Sequence, residues 1–290
     1  MRLPLRSKTE INFRSHRPAR LLTVSIVFIA ALALSSGPIL AESATATPTT
    51  HAAVLVPVIH AVVPHDPSSY TEGLGLVNGH LYEGSGQNGQ SAVREEDLQT
   101  GTVLRRVDLD PAYFGEGIAI DGQRLVQLTW QSHIAFVYNL ATFKQIGTFA
   151  YDGEGWGLCF DGQQFYMSNG SSSIVARDPL TFAVTRTIPV TLDGRPINQL
   201  NELECVGDSV YANVWLTQRI VRIDKASGQV TARIEVPPDI LTPAQREWLG
   251  VDGVLNGIAY DPGTQQFLIT GKHWPWMYWV TFVPANYSYF

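Results

Sequence analysis

Five segments of the chain open alike, at intervals that few folds tolerate. They are Glu72-Gly73-Leu74, Glu116-Gly117-Ile118, Glu154-Gly155-Trp156, Asn201-Glu202-Leu203 and Asn256-Gly257-Ile258. Successive openings lie 44, 38, 47 and 55 residues apart. Each is followed by a short apolar run and a turn: Asn78-Gly79, Asp121-Gly122, Asp161-Gly162, Gly207-Asp208 or Asp261-Pro262-Gly263. Such turns join antiparallel strands tightly, because Gly, Asn and Asp tolerate the backbone angles they demand. Second strands are expected at His80–Glu83, Leu125–Leu128, Phe165–Ser168, Val210–Val214 and Phe267–Thr270.

Four-stranded units repeating at this spacing are blades of a β-propeller. The expected fold is therefore all-β, a five-bladed propeller forming one domain over residues 51–290. A β-sandwich would not generate five similar openings. The last unit, from Asn256 to Phe290, has room for three strands only. The apolar run Val54–Val63 is expected to supply its missing strand and close the ring. The longest interval contains Thr242, Pro243 and Gln245, a capping threonine, a proline at the first position and a glutamine three residues after the cap. That pattern predicts a short helix over residues 243–249.

The first 41 residues read as a targeting segment outside the fold. Arg2, Arg6, Lys8, Arg14, Arg17 and Arg20 precede an apolar run from Leu21 to Leu34, and small residues lead to Ala41. This is the layout of a cleaved secretory signal, and the run is short for a membrane span. Residues 42–50 read as a flexible leader. The protein is expected in the periplasm or secreted, without stable membrane insertion. Of the whole chain, 45% is hydrophobic and 16% charged, which excludes a disordered chain. Removing residues 1–41 takes away six basic residues and Glu10, so the net charge moves from −6 to −11. A surface that acidic argues against nucleic acid or anionic lipid as partner. Export would let the two cysteines, Cys159 and Cys205, pair, but both lie in apolar runs that equally suit buried free thiols. The seven histidines show no zinc-ligand spacing.

Propeller geometry places particular residues together. First strands line a central channel, so Glu72, Glu116, Glu154, Asn201 and Asn256 are expected to ring one mouth. Second strands run antiparallel and end on that same face, which adds Trp130, Trp215, Lys272 and Trp274, while Trp156 sits at the start of its own strand. Aromatic walls with a few converging polar groups make a small-ligand site. Close, buried carboxylates raise one another's pKa and suit acid–base chemistry near neutral pH. Tryptophans also serve blade packing, and a carboxylate ring also suits a cation. From these features alone the chain is a ligand-binding or catalytic propeller. A partner-binding propeller and a metal-dependent lactonase-type propeller both remain open.

The motifs go further. His65-Asp66-Pro67, Tyr70-Thr71-Glu72-Gly73-Leu74, Phe114-Gly115-Glu116-Gly117-Ile118, Gln127-Leu128-Thr129-Trp130, Glu154-Gly155-Trp156-Gly157-Leu158, Leu200-Asn201-Glu202-Leu203-Glu204, Tyr211-Ala212-Asn213-Val214-Trp215, Leu255-Asn256-Gly257-Ile258 and Gly271-Lys272 with Trp274-Pro275 occur in order from about Val54 to Val280. In this the chain resembles the plant and bacterial glutamine cyclotransferases. The resemblance implies a five-bladed propeller that converts N-terminal glutamine of peptides or proteins to pyroglutamate with release of ammonia, with no cofactor and no metal. It puts the catalytic glutamate on Glu116 and substrate contacts on Trp130, Trp156, Asn201, Trp215 and Lys272. Glu72, a further expected substrate contact, stands where the family often has glutamine, which adds a negative charge. The segment from Glu83 to Ser91 is less bulky than the family's usual loop and implies a wider pocket rim.

Overall fold

The computed structural model describes residues 51–285. The expected signal (1–41) and leader (42–50) lie outside the described residues. Among the described residues, apart from short helical segments between the fourth and fifth strand sets, every regular element is a β-strand.

The first strand, β1 (Ala53–Pro64), is followed by three four-stranded antiparallel sheets. The first contains β2 (Thr71–Val77), β3 (His80–Ser85), β4 (Ala92–Glu96) and β5 (Val103–Asp108). The second contains β6 (Gly115–Ile120), β7 (Arg124–Thr129), β8 (Ile134–Asn139) and β9 (Gln145–Ala150). The third contains β10 (Leu158–Phe160), β11 (Phe165–Met167), β12 (Ser173–Arg177) and β13 (Val184–Pro189). A small hairpin, β14 (Thr191–Leu192) with β15 (Arg195–Pro196), leads onward. It precedes β16 (Leu200–Val206), β17 (Ser209–Val214), β18 (Arg219–Asp224) and β19 (Val230–Glu235). Helix α1 (Pro243–Leu249) comes before β20 (Leu255–Asp261), β21 (Gln266–Gly271) and β22 (Trp276–Pro284).

Strand β1 lies antiparallel to β22, from Leu55 opposite Pro284 to Pro64 opposite Trp276, and gives the last set its fourth strand. It also meets β19 in a short parallel seam, Ala53 to Leu55 against Ala232 to Ile234. That seam joins two four-stranded sets into one eight-stranded sheet, in the order β16-β17-β18-β19-β1-β22-β21-β20. Helix α1 spans the predicted residues. Thr242 accepts from the Gln245 amide, and the Gln245 side chain accepts in return from the Thr242 amide.

Burial falls from the first strand of each set to the last. Thr71 to Leu74 and Gly115 to Ala119 are buried without a break, whereas β9 and β13 are mostly exposed. The first strands contact one another in a cycle: β2 with β6, β6 with β10, β10 with β16, β16 with β20, and β20 with β2. Five hydrophobic clusters fill the spaces between successive sets. Ile118 and Leu125 meet Tyr82, Leu158 and Phe165 meet Val126, Ile174 meets Val210, Ile258 and Phe267 meet Tyr211, and Ala259 and Leu268 meet Leu74 and Leu81. Cys159 on β10 and Cys205 on β16 are joined by a disulfide. Of the two possibilities open in sequence, pairing is realised because the first strands of neighbouring sets run side by side.

That closeness depends on glycine. A Cβ on Gly73 would lie 2.5 Å from the Ile118 nitrogen, one on Gly117 2.5 Å from the Trp156 oxygen, and one on Gly157 2.0 Å from the Asn201 oxygen. Gly157, not Gly155, is thus the third member of the series, and Trp156 holds the place of Glu72 and Glu116. The sequence comparison aligned the third opening two residues early, on Glu154. That residue lies in a non-strand segment outside the cycle, and its strand starts only at Leu158.

Gly157→Ala should lower stability by about 3 kcal/mol, since backbone cannot yield as a side-chain tip can. Gly147→Ala, where a Cβ meets nothing within 4 Å, should stay within about 0.5 kcal/mol of the parent. Urea unfolding of the two variants checks this, and equal effects would refute the close-approach account.

Candidate active site

Starts of first strands and ends of second strands share one face because adjacent strands are antiparallel. A cavity of about 210 Å³ opens there, lined by Tyr70, Glu72, Phe114, Glu116, Trp130, Trp156, Asn201, Trp215 and Lys272. The structure therefore brings together the seven residues expected to be catalytic or to contact substrate, Glu72, Glu116, Trp130, Trp156, Asn201, Trp215 and Lys272, but not Glu154, Asn256 or Trp274. Tyr70 and Phe114 were missed. Both stand two residues before an inward-facing glutamate, and the two-residue period of a strand puts i and i+2 on the same side, so the signal was present.

Lys272 and Glu72 form a buried ion pair, Nζ to Oε1 at 2.5 Å. The ammonium also lies 4.2 Å from the centre of the Tyr70 ring. Asn256 Nδ2 donates to the Thr71 carbonyl oxygen at 2.9 Å and to Glu72 Oε2 at 3.2 Å. Burial pushes the Glu72 carboxyl up, and Lys272 offsets only part of that rise. Glu116 is raised well above the ordinary carboxylate range, by burial first and then by the neighbouring Glu72 charge, with which it shares a hydrogen bond. Burial alone would depress Lys272, but the Glu72 and Glu116 charges outweigh it and raise the ammonium. The site thus holds one ion pair and one carboxyl of raised proton affinity. Asn201 Oδ1 is buried and has no partner within the protein, so an acceptor stands ready in the wall.

The aromatic walls are fixed from outside. Glu154 Oε2 accepts from the indole nitrogens of Trp130 at 2.8 Å and Trp156 at 2.9 Å, and Oε1 accepts from Gln131 Nε2 at 2.8 Å. Burial is the largest single effect and opposes its charge, but the three donors together outweigh it and lower its pKa. Trp156 meets Trp215 edge to face, centroids 5.5 Å apart. Glu154 therefore orients two walls rather than adding a third carboxylate to the cavity. Two further expectations are corrected. Trp274 is fully buried, packs near Tyr278, and donates to the Gly253 carbonyl oxygen at 2.9 Å. The turn after Lys272 folds it under the loop and away from the mouth. Asn256 is also fully buried and supports Glu72 from behind.

Below the cavity, Glu202 is fully buried and accepts from the Leu74 amide at 3.3 Å, while its other oxygen has no partner. Burial, then Glu204, raise its pKa well above the ordinary range. Among the described residues, His65, Glu83 and Glu96 are the one group of metal-ligand types whose donor atoms lie together, and Arg94 already pairs with both carboxylates.

A model of the glutamine cyclotransferase family matches residues 29–282 of the chain. The chain belongs to that family. It is 38% identical over 231 residues to a glutaminyl-peptide cyclotransferase of Arabidopsis thaliana, covering 78% of this chain and 71% of the relative. It is also similar to the crystal structure of Myxococcus xanthus glutaminyl cyclase, with a TM-score of 0.75 and 32% identity, covering 81% of this chain and all of the other.

The raised Glu202 gives a signed prediction. A carboxyl that folds neutral weakens folding wherever the unfolded chain ionises it. Its stabilisation is complete below about pH 4.5 and is lost as pH rises toward the folded-state pKa. Glu202→Gln should therefore match the parent near pH 4 and melt at a higher temperature than the parent at pH 8. Thermal melts across that range check it, and parallel curves would remove Glu202 as the cause.

Proposed function

We propose that this family member is a glutaminyl-peptide cyclotransferase that acts on the free N-terminal glutamine of peptides or proteins and releases pyroglutamate and ammonia. One observation carries the reading. An aromatic-walled cavity of about 210 Å³ holds a carboxyl of raised proton affinity, Glu116, next to a buried ammonium and an unpartnered amide oxygen. That volume is about seven waters' worth, room for one residue with the rest of the peptide left in solvent.

In the proposed reaction, the α-amine of glutamine attacks the carbonyl carbon of its own side-chain carboxamide. The new C–N bond closes a five-membered lactam. Glu116 in its ionised form accepts the proton the amine gives up and returns it to the carboxamide nitrogen, and that C–N bond breaks to release ammonia. A carboxyl with a raised pKa is a competent base toward an amine and a competent acid toward a leaving nitrogen. The attack is intramolecular, so holding the folded-back conformer supplies much of the acceleration. Asn201 Oδ1 accepts from the attacking amine, and Lys272 stabilises the negative charge that develops on the carbonyl oxygen. The indole walls exclude water and pack on the two methylenes of the side chain.

Two further readings belong to the proposal. The cycle of contacting first strands and the five shared hydrophobic clusters support a five-bladed propeller whose ring β1 closes. The basic and apolar pattern of residues 2–34 supports export to the periplasm or medium, with cleavage near Ala41. A product retaining Arg2 to Leu40, found in a membrane fraction by intact-mass analysis, would show an anchor instead.

Glu116→Gln should keep the fold and lower turnover about a hundredfold or more. With Glu116 acting first as base, kcat/KM of the parent should rise with pH through a midpoint displaced upward from the ordinary carboxylate value, and that limb should vanish in the variant. Ammonia release from glutamine-initiated dipeptides measures both. Glutamine should react, an acetylated N-terminus should not, and N-terminal glutamate should react far more slowly, because its carboxylate is a poor electrophile that would enter beside Glu72 and Glu116. If no glutamine peptide loses ammonia, the reading fails.

A further inference from the structure

Behind the cavity lies a second set of buried ionisable groups for which the reaction has no use. Glu83 on β3 is wholly buried. Its Oε1 accepts from Ser69 Oγ at 2.5 Å and Thr71 Oγ1 at 2.6 Å, and lies 3.2 Å from His65 Nε2. Its Oε2 accepts from Arg94. Arg94 also bonds Asp66 at 2.7 Å and lies 3.0 Å from Glu96. Burial alone would raise Glu83, but Arg94 and His65 outweigh it and hold the carboxylate well below its usual range. Glu96 is pushed up to about 9 by burial first and then by Glu83.

The donors to Glu83 are placed with respect to the site. Ser69 and Thr71 flank Tyr70, whose ring carries the Lys272 ammonium, and Thr71 immediately precedes Glu72. The same segment is bonded to the turn that follows Lys272. The His273 amide donates to the Ser69 carbonyl oxygen at 2.8 Å, and the His65 amide to that of Pro275 at 3.0 Å. His273 Nδ1 donates to the Pro67 carbonyl oxygen at 2.9 Å, and His65 Nδ1 to that of Trp274 at 2.6 Å. One carboxylate thus anchors the segment that presents Tyr70 and Glu72, and His65 carries the anchorage to the turn that presents Lys272. The two segments are about 200 residues apart in the chain.

We propose that Glu83 is a positioning residue for the cyclisation: by gathering Ser69, Thr71, His65 and Arg94 it sets the distance between Glu72 and Lys272, and through that pair the charge felt by Glu116. The guanidinium already lies between the Glu83 and Glu96 carboxyl groups, so the cluster is a joint rather than a cation site. The inference rests on the cyclotransferase reading, since only that reaction gives the Glu72–Lys272 pair its use.

The test compares Glu83→Gln and Thr71→Val with the parent and with Ile174→Val, a buried substitution in the third sheet that touches neither cluster nor cavity. In Glu83→Gln an amide donor faces Arg94 or the hydroxyls. Thr71→Val removes one donor without changing shape. Thr71→Val should lower kcat about fivefold, the effect of one lost hydrogen bond. Glu83→Gln should lower it about a hundredfold, as misplaced groups do. In both, the pH limb of kcat/KM should shift, because the charge beside Glu116 changes. Ile174→Val should lower the melting temperature and leave KM and the limb in place. A second readout does not need activity. Lys272 is nearly inaccessible and paired, so its acylation by a small amine-reactive reagent, followed by mass spectrometry, should be about fivefold faster or more in both variants. If Glu83→Gln does not fold, Thr71→Val decides. Parent-like labelling and pH limb in Thr71→Val would overturn the proposal, as would equal shifts in Ile174→Val. If the parent itself cyclises no glutamine peptide, the functional reading fails, and the labelling comparison still decides whether Glu83 positions Lys272.

Discussion

At Gly73, Gly117 and Gly157 the backbone of one strand set passes that of the next with no space for a side chain between them. Everything that bears on function follows from that approach. It brings Glu72, Glu116 and Trp156, each one residue before such a glycine, onto a common rim. It also brings Cys159 within bonding distance of Cys205. Side chains large enough to hold the first strands apart would leave these residues too far apart to form one small cavity.

Crowding charges into such a space carries an electrostatic cost that the structure meets in three different ways. Glu72 keeps its charge by pairing with Lys272. Glu116 and Glu202 have their pKa values raised instead, because no full counter-charge reaches them and an ionised carboxylate in low dielectric is expensive. Glu83 keeps its charge through three donors and an arginine. A buried ion pair seldom adds much net stability, since desolvation offsets the attraction. The Glu72–Lys272 pair is better understood as setting the potential at Glu116 than as holding the fold together. The fold is held by apolar contact between successive sets, with cores that contain Phe165, Phe182, Leu125, Ile258 and their neighbours.

The site also lies where the chain is joined to itself. The segment between β1 and β2 bonds to the turn between β21 and β22, and β1 pairs with β22 alongside. Tyr70 and Glu72 come from one side of that junction and Lys272 from the other. The geometry of the ion pair is therefore a product of long-range closure, and it cannot form before the last strands have docked.

Much of this was legible in the amino-acid sequence where the cause is local. Turn dipeptides, alternating strands and the capping pattern at Thr242 depend on residues a few positions apart, and their strands and helix lie where they were expected. Many cavity residues were legible too, because strand direction puts the starts of first strands and the ends of second strands on one face, although the same rule also gathered Glu154, Asn256 and Trp274, which do not line the cavity. What the sequence left open depends on contacts between distant residues. The third opening was aligned on Glu154 because Glu-Gly recurs there, but packing against Asn201 selects Gly157. Trp274 belongs by position with Lys272, yet the turn buries it. Cysteine pairing and the protonation of Glu116 were likewise open. By itself the sequence determined which chemical groups exist and the local conformations that carry them. Only the tertiary structure decided which groups are close, which are cut off from water, and so which carry charge, because Coulomb energy and desolvation depend on distance through space and not on distance along the chain.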